Sequence, residues 1–154
     1  MRERLKKRLG ELLIENGILT KENLEEALIY QKKNGGVIGQ ILIRLGYISE
    51  ENLVAALGHQ LNVPYLPLQN YSLNMDVVQQ LEEEFCKRNM VIAFDRDAKY
   101  IYLAMADPLN VSAIEEIEKL SQMRAQIFIS TPSEILNMLD LVFTTNKKEM
   151  KKVA

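Results

Sequence analysis

A single cysteine, Cys86, excludes an intrachain disulfide and leaves no thiolate cluster for zinc. It follows Glu82-Glu83-Glu84-Phe85 in a stretch of helical pattern, acidic surroundings that disfavour a thiolate, so it reads as a buried structural residue. The one histidine, His59, has no cysteine partner and no evident triad, which leaves neither a metal site nor a nucleophilic relay around it. Charge of one sign is also missing. Nineteen Lys and Arg stand against 21 Asp and Glu, a formal net charge of −2, whereas a domain that tracks a nucleic-acid backbone carries a basic excess. Basic clusters at Arg2–Arg8 and Lys147–Lys152 lie at the chain ends, where solvated termini are the simplest reading. Glu82–Glu84 reads as a solvated helix face. No apolar run reaches the roughly 18 residues of a bilayer span, and the N-terminus lacks an apolar signal core, so a cytoplasmic protein is expected. Neither a Gly-x-x-x-x-Gly-Lys-Ser/Thr loop nor a Gly-x-Gly-x-x-Gly turn occurs, and no nucleotide hydrolysis is expected of this chain alone.

What is present is a repeat. Leu9, Leu12, Leu13 and Ile14 make an apolar face that stops at Asn16-Gly17. Thr20 then caps a second helix, with Glu22 in its first turn. Leu24, Ala27, Leu28 and Gln31 share one face of that helix at i, i+3, i+4 and i+7. The pattern then returns, Val37–Gln60 repeating Arg8–Gln31 at an offset of 29 (39 − 10 for the first glycine). Gly10 matches Gly39, Leu13 matches Leu42, Gly17 matches Gly46, Leu24 matches Leu53, Leu28 matches Leu57 and Gln31 matches Gln60. Thr20 and Ser49 are equivalent caps. Two repeats are too few for a solenoid, so the pair is expected to pack on itself with pseudo-twofold or translational symmetry.

After Pro64-Tyr65-Leu66-Pro67-Leu68, an extended connection, the pattern changes. Asp76–Arg88 reads as a helix with Val77, Val78, Leu81 and Phe85 inward. Met90–Phe94 and Tyr100–Met105 flank the polar Asp95–Lys99 and read as a hairpin, and Ala125–Ile129 as a third strand. A helix carrying Ile114, Ile117 and Leu120 lies between. Thr131-Pro132-Ser133-Glu134 is a capping box opening a final helix through Leu139. The expected fold is α+β: a four-helix tandem repeat over residues 1–62, a small α+β part with about three strands over 63–145, and a basic tail or linker over 146–154.

The repeat unit is Arg-Leu-Gly-x-x-Leu-Ile-x-x-Gly, six residues, then Leu-x-x-x-Leu-x-x-Gln. Core packing and tight turns explain its leucines and glycines. The glutamines need partners, because an unsatisfied buried amide costs roughly 1–3 kcal/mol. A cap or a bond to the neighbouring repeat is one solution, a ligand another. Glycine near a helix start lets a flat or anionic group approach the backbone. Arg8 could stack on a purine or pair with a phosphate. Leu24 and Leu28 would floor a base whose polar edge Gln31 reads, and Ile38, Leu53, Leu57 and Gln60 repeat the set. Two like half-sites suit a dinucleotide with two like halves.

These residues resemble the paired 24-residue motifs of the MshEN domain, which stands at the N-terminus of type IV pilus assembly and type II secretion ATPases of the GspE/PilB family. The resemblance runs from about Lys6 to Phe143 and includes Ala104-Met105-Ala106-Asp107-Pro108-Leu109-Asn110. It implies a non-catalytic regulatory domain that binds cyclic di-GMP, with no other cofactor and no metal. The residues it assigns to the ligand are Arg8, Leu9, Gly10, Leu24, Leu28, Gln31, Val37, Ile38, Gly39, Gln40, Leu53, Leu57 and Gln60. The second motif departs from the pattern, with Val37 in place of the basic residue and Ile38 in place of leucine, so either affinity is weaker or Arg8 and Lys6 supply the positive charge for both phosphates. The implied partners are the motor ATPase domain, absent from these 154 residues, and inner-membrane components of the machine, which would hold the protein at the inner-membrane face. The chain then reads as a fragment or a stand-alone module. The competing expectation is a docking module whose leucine face receives a partner helix.

Overall fold

The computed structural model describes residues 9–36 and 38–153, with Gln60 and residues 145–153 described by their backbone alone. The repeat seen in the sequence is a repeat of structure. Helix α1 (Leu9–Glu15) and helix α3 (Ile38–Arg44) end in the same way. Gly17 and Gly46 sit at φ 71° and 80°, a conformation cheap only for glycine. The following N–H of Ile18 or Tyr47 reaches back to the carbonyl of Leu13 or Leu42, 3.0 Å in both cases. Helices α2 (Lys21–Asn34) and α4 (Glu50–Leu61) then start in matching fashion. The Thr20 and Ser49 hydroxyls each accept the N–H three residues on, from Asn23 and Asn52, at 3.1 Å.

Helix α1 packs on α4 and α2 on α3. Exchanging the repeats turns one of these pairs into the other, which is the pseudo-twofold alternative rather than the translational one. The Tyr47 hydroxyl, on the α3–α4 turn, donates to the Glu26 carboxylate of α2 and ties the two repeats together at the surface. Leu13, Ala27, Leu42, Leu53 and Leu57 are the centre of this half's core.

Residues 64–66 run beside the third strand, where Ile129 N–H donates to Pro64 and Leu66 N–H to Ile129, both at 2.9 Å. A 3-10 turn (Leu68–Asn70) precedes two short helices, α5 (Met75–Val78) and α6 (Glu83–Asn89), where the sequence suggested one helix over Asp76–Arg88. The four stripe residues are all buried, so the apolar pattern does not betray the break. What favours it is the acidic run: Glu83 and Glu84 fall in the first turn of α6, where the helix dipole suits them better than a mid-helix position would.

Strands β1 (Val91–Arg96) and β2 (Tyr100–Met105) pair antiparallel with a bulge between Ala93 and Asp95. Helix α7 (Val111–Ser121) carries the chain over to β3 (Arg124–Ile129), parallel to β2, giving the order β1-β2-β3. Helix α8 (Pro132–Val153) runs well past Leu139, where the sequence reading ended it. No glycine or proline follows Pro132, and Val142 and Phe143 continue the apolar stripe. The Thr131–Glu134 capping box forms as expected: Glu134 N–H donates to Thr131 Oγ1 at 3.1 Å while the carboxylate accepts from Thr131 N–H at 3.3 Å. The fold is α+β.

Leu109 and Ile129 belong by chain position to the second half, yet both are buried in the helical half's core. The Asp107-Pro108-Leu109-Asn110 turn aims Leu109 there. Asp107 accepts the Leu109 N–H at 2.9 Å, and the Asn110 side chain caps α7 through Ala113 N–H. At the edge of the joint, the Glu50 carboxylate accepts from both the N–H and the hydroxyl of Ser133 at 2.9 and 2.8 Å.

Candidate functional site

The glycines of the two motifs are packing residues. A Cβ on Gly10 would stand 2.6 and 2.7 Å from the two methyls of Leu24. One on Gly39 would stand 3.3 Å from Leu53 and 3.6 Å from Leu9. In each repeat, then, the first helix approaches the second because the glycine leaves room for its leucine. The space expected to admit a ligand to the backbone is filled by Leu24 and Leu53.

The two leucine faces are not equivalent. Leu28 is 45% exposed and Leu24 half-buried, whereas Leu53 and Leu57 are 1% and 0% exposed. Leu9 is also interior, Gly39 is buried and Ile38 is half-buried. The floor expected of the second repeat is thus core: α1 packs on α4, β3 touches the same helix, and Leu109 and Ile129 join the same cluster. Among the described residues only the first repeat presents an open leucine edge, Leu28 with the neighbouring Ile29 at 57% exposure. Arg8 and Val37 lie outside the described residues, as does the side chain of Gln60.

Gln31 has a partner within the protein. Its side-chain N–H donates to the Gly36 carbonyl at 2.9 Å, and its own carbonyl accepts the Gly35 N–H at 2.7 Å. The residue thereby fixes the spacer between the repeats, the alternative in which the glutamine bonds locally. Beyond that spacer a cleft of about 100 Å³ opens between α2 and α3. Tyr30 and Asn34 line it from α2, Gly35 and Gly36 from the spacer, and Gln40, Ile41 and Arg44 from α3. Among the described residues expected at a ligand, Gln40 alone lines this cleft. Tyr30 and Arg44 fall at unspecified positions of the repeat unit and Asn34 in the spacer between the repeats, so the motif itself does not point to them. For Arg44 a usable signal existed, since it stands seven residues after Val37, two helical turns along the same face.

Among the described residues no group of His, Cys, Asp and Glu could hold a metal ion. No described helix is long and apolar enough to cross a membrane. Cys86 is buried, and desolvation, with the charge of Glu83 adding, pushes its thiol up to about 12.

A family model for the MshEN domain matches residues 61–148, more than half of the chain. The chain belongs to the MshEN domain family. The matched region is the α+β half; the tandem motifs precede it. Other likenesses extend into them. The type IV pilus assembly ATPase PilB of Myxococcus xanthus is 25% identical over 133 residues, and that of Thermus thermophilus 29% identical over 135. Alignments of that length cannot fit within residues 61–154 and must include much of the repeat. They cover 86% of this chain but only 24% and 15% of those ATPases, so the chain spans a quarter or less of their length. A structure of MshE with cyclic di-GMP superposes with a TM-score of 0.66 at 32% identity, covering 88% of this chain and 98% of that one. The N-terminal domain of XpsE superposes with a TM-score of 0.73 at 22% identity over 88% of this chain and 94% of that one, a likeness of fold. The MshEN assignment thus joins both halves of this chain to one domain type.

Proposed function

We propose that this MshEN domain binds cyclic di-GMP on its tandem repeat and, without catalysis of its own, regulates an ATPase of the pilus or secretion class. The observation that carries this reading is the likeness to the MshE structure with cyclic di-GMP, which extends over nearly all of that chain at 32% identity. The duplicated motif supports it, since two copies of one unit related by a pseudo-twofold suit a ligand with two like halves. In this reading residues 1–62 form the ligand-binding part and 63–145 the part that relays it, with 146–154 leading on toward a motor domain. The relay would use the joint, where Leu109, Ile129 and the Glu50–Ser133 bonds connect the halves. A cytoplasmic location at the inner-membrane face, through partners of the machine, follows from the same reading.

The Gln31 amide gives one N–H to the Gly36 carbonyl, which leaves its second N–H and its side-chain oxygen to read the polar edge of a base while the spacer between the repeats stays held. Leu53 and Leu57 take part only by holding the second repeat's shape unless the helices separate. Isothermal titration calorimetry with cyclic di-GMP, with GTP as control and Arg8→Ala alongside, tests the reading. Saturable binding at micromolar or tighter affinity, lost in Arg8→Ala, is expected. No heat up to high ligand concentration would overturn it in favour of a docking module, with the exposed Leu28–Ile29 edge as its contact.

A further inference from the structure

The cleft between α2 and α3 is lined by one cation, Arg44, and by no carboxylate among the described residues. Its volume of about 100 Å³ is well below the roughly 300–1,000 Å³ of pockets that enclose a whole small molecule, so it has room for one group of a larger molecule. The groups around it are two side-chain amides, a phenol, two glycines, the Ile41 side chain and a guanidinium. Arg44 is exposed and has no ion-pair partner among the described residues. That lining accepts an anion: a planar cationic fork with amide N–H donors beside it.

The pseudo-twofold supplies the comparison. Gln40 and Arg44 correspond to Glu11 and Glu15 of the first repeat (40 − 29 and 44 − 29), and Tyr30 and Asn34 to His59 and Val63. The pseudo-equivalent position between α1 and α4 therefore carries two carboxylates where this one carries an amide and a cation. In the first repeat the motif's cation comes first, Arg8, and acids follow at i+3 and i+7. In the second the first position is Val37, and the cation comes at i+7. In sequence the charge has moved seven positions, from the first residue of the motif to the eighth.

We infer that Arg44, flanked by Gln40 and Asn34, takes a phosphate of the cyclic dinucleotide in place of the cation missing at Val37. The inference rests on the proposed cyclic di-GMP reading and assigns to it an anion subsite outside the motif. Gln31 contributes indirectly, by holding the Gly36 carbonyl that walls the cleft.

The test is calorimetric titration of the 154-residue chain with cyclic di-GMP at low and high salt, for wild type, Arg44→Ala, Arg44→Lys and Glu15→Ala. Arg44→Ala is expected to weaken binding by about ten- to a hundredfold, the value of one charge-assisted hydrogen bond. It should also flatten the salt dependence, which loss of shape alone would not do. Arg44→Lys should restore part of the affinity, and Glu15→Ala should leave it unchanged. Wild-type binding with Arg44→Ala unaffected overturns the subsite and leaves the cyclic di-GMP reading standing. No binding by wild type overturns both. Thermal melts of each variant check the fold; Arg44→Gln, which keeps the length of the side chain, serves if the alanine variant melts early.

Discussion

Replacing Glu134 with alanine removes a carboxylate that accepts from four donors on three residues and ties the 65–68 connection to the start of α8. One oxygen accepts from the Tyr65 hydroxyl at 2.7 Å and from Thr131 Oγ1 at 3.0 Å. The other accepts the Leu68 N–H at 3.1 Å. Leu68 is fully buried, and removing the carboxylate leaves its N–H without a protein partner, a loss of about 1–3 kcal/mol. Opening the capping box of α8 adds about 0.3–1.5 kcal/mol. Tyr65 is 48% exposed, and its phenol rehydrates at little cost. The expected destabilisation is about 2–4 kcal/mol, or roughly 5–15 °C in Tm for a domain of this size. Urea and thermal unfolding followed by circular dichroism measure it, with Tyr65→Phe, expected to lose less than about 1 kcal/mol, as the control. Glu134→Gln should fall between, because either orientation of the amide sets its NH2 against the N–H of Leu68 or of Thr131. The same contact is readable by pH. The bond to Glu134, reinforced by burial and by the carboxylate's charge, pushes Tyr65 from 10.0 up to about 12. The neutral phenol is the favoured form, so its contribution is complete below pH 10 and is lost as pH rises through about 12. In Glu134→Ala, tyrosinate absorbance assigned by difference against Tyr65→Phe should return toward 10. A loss below about 1 kcal/mol in Glu134→Ala, with Tyr65 still titrating near 12, would refute the reasoning.

Leu57→Ala should cost about 2–5 kcal/mol in urea unfolding, while the pseudo-equivalent Leu28→Ala should cost less than about 1 kcal/mol. In titration with cyclic di-GMP, Leu28→Ala should weaken binding, which no loss of core packing would explain. Gly10→Ala sets overpacking against Leu24, about 1–3 kcal/mol, against a helix-propensity gain near 1 kcal/mol, for a net loss. Gly39→Ala, with its nearest contact at 3.3 Å, should come close to break-even; equal Tm shifts for the two would contradict the packing seen here. Cys86, buried and with its thiol pushed up to about 12, should react with thiol reagents at pH 8 only as fast as the protein opens. Fast labelling of the folded chain would place it nearer the surface.

The repeat, its caps and its turns were legible because each is a local device. Thr20, Ser49, Gly17, Gly46 and the Thr131–Glu134 box bond within a few residues, so their spacing in the chain is their spacing in space. The hairpin and the third strand were legible for the same reason, as short apolar runs between polar breaks. The break between α5 and α6 was not, since Val77, Val78, Leu81 and Phe85 would share a face in one helix as readily as they share a core from two. The length of α8 was hidden by its polar C-terminal turns, whose composition suits a tail as well as a helix.

The candidate site divides along the same line. Sequence alone determined that two like units exist, that Gln31 needs a partner and that the second unit lacks its leading cation. Tertiary structure decided that Leu53 and Leu57 are interior while Leu28 is not, that the partner Gln31 finds is the Gly36 carbonyl, and that Arg44 stands over a cleft with Tyr30 and Asn34. The physical reason is that a motif fixes what a helix face carries, whereas burial depends on what covers that face. Here the cover on the second repeat includes Leu109 and Ile129, residues more than forty positions away in the chain that no periodicity within the repeat could reveal.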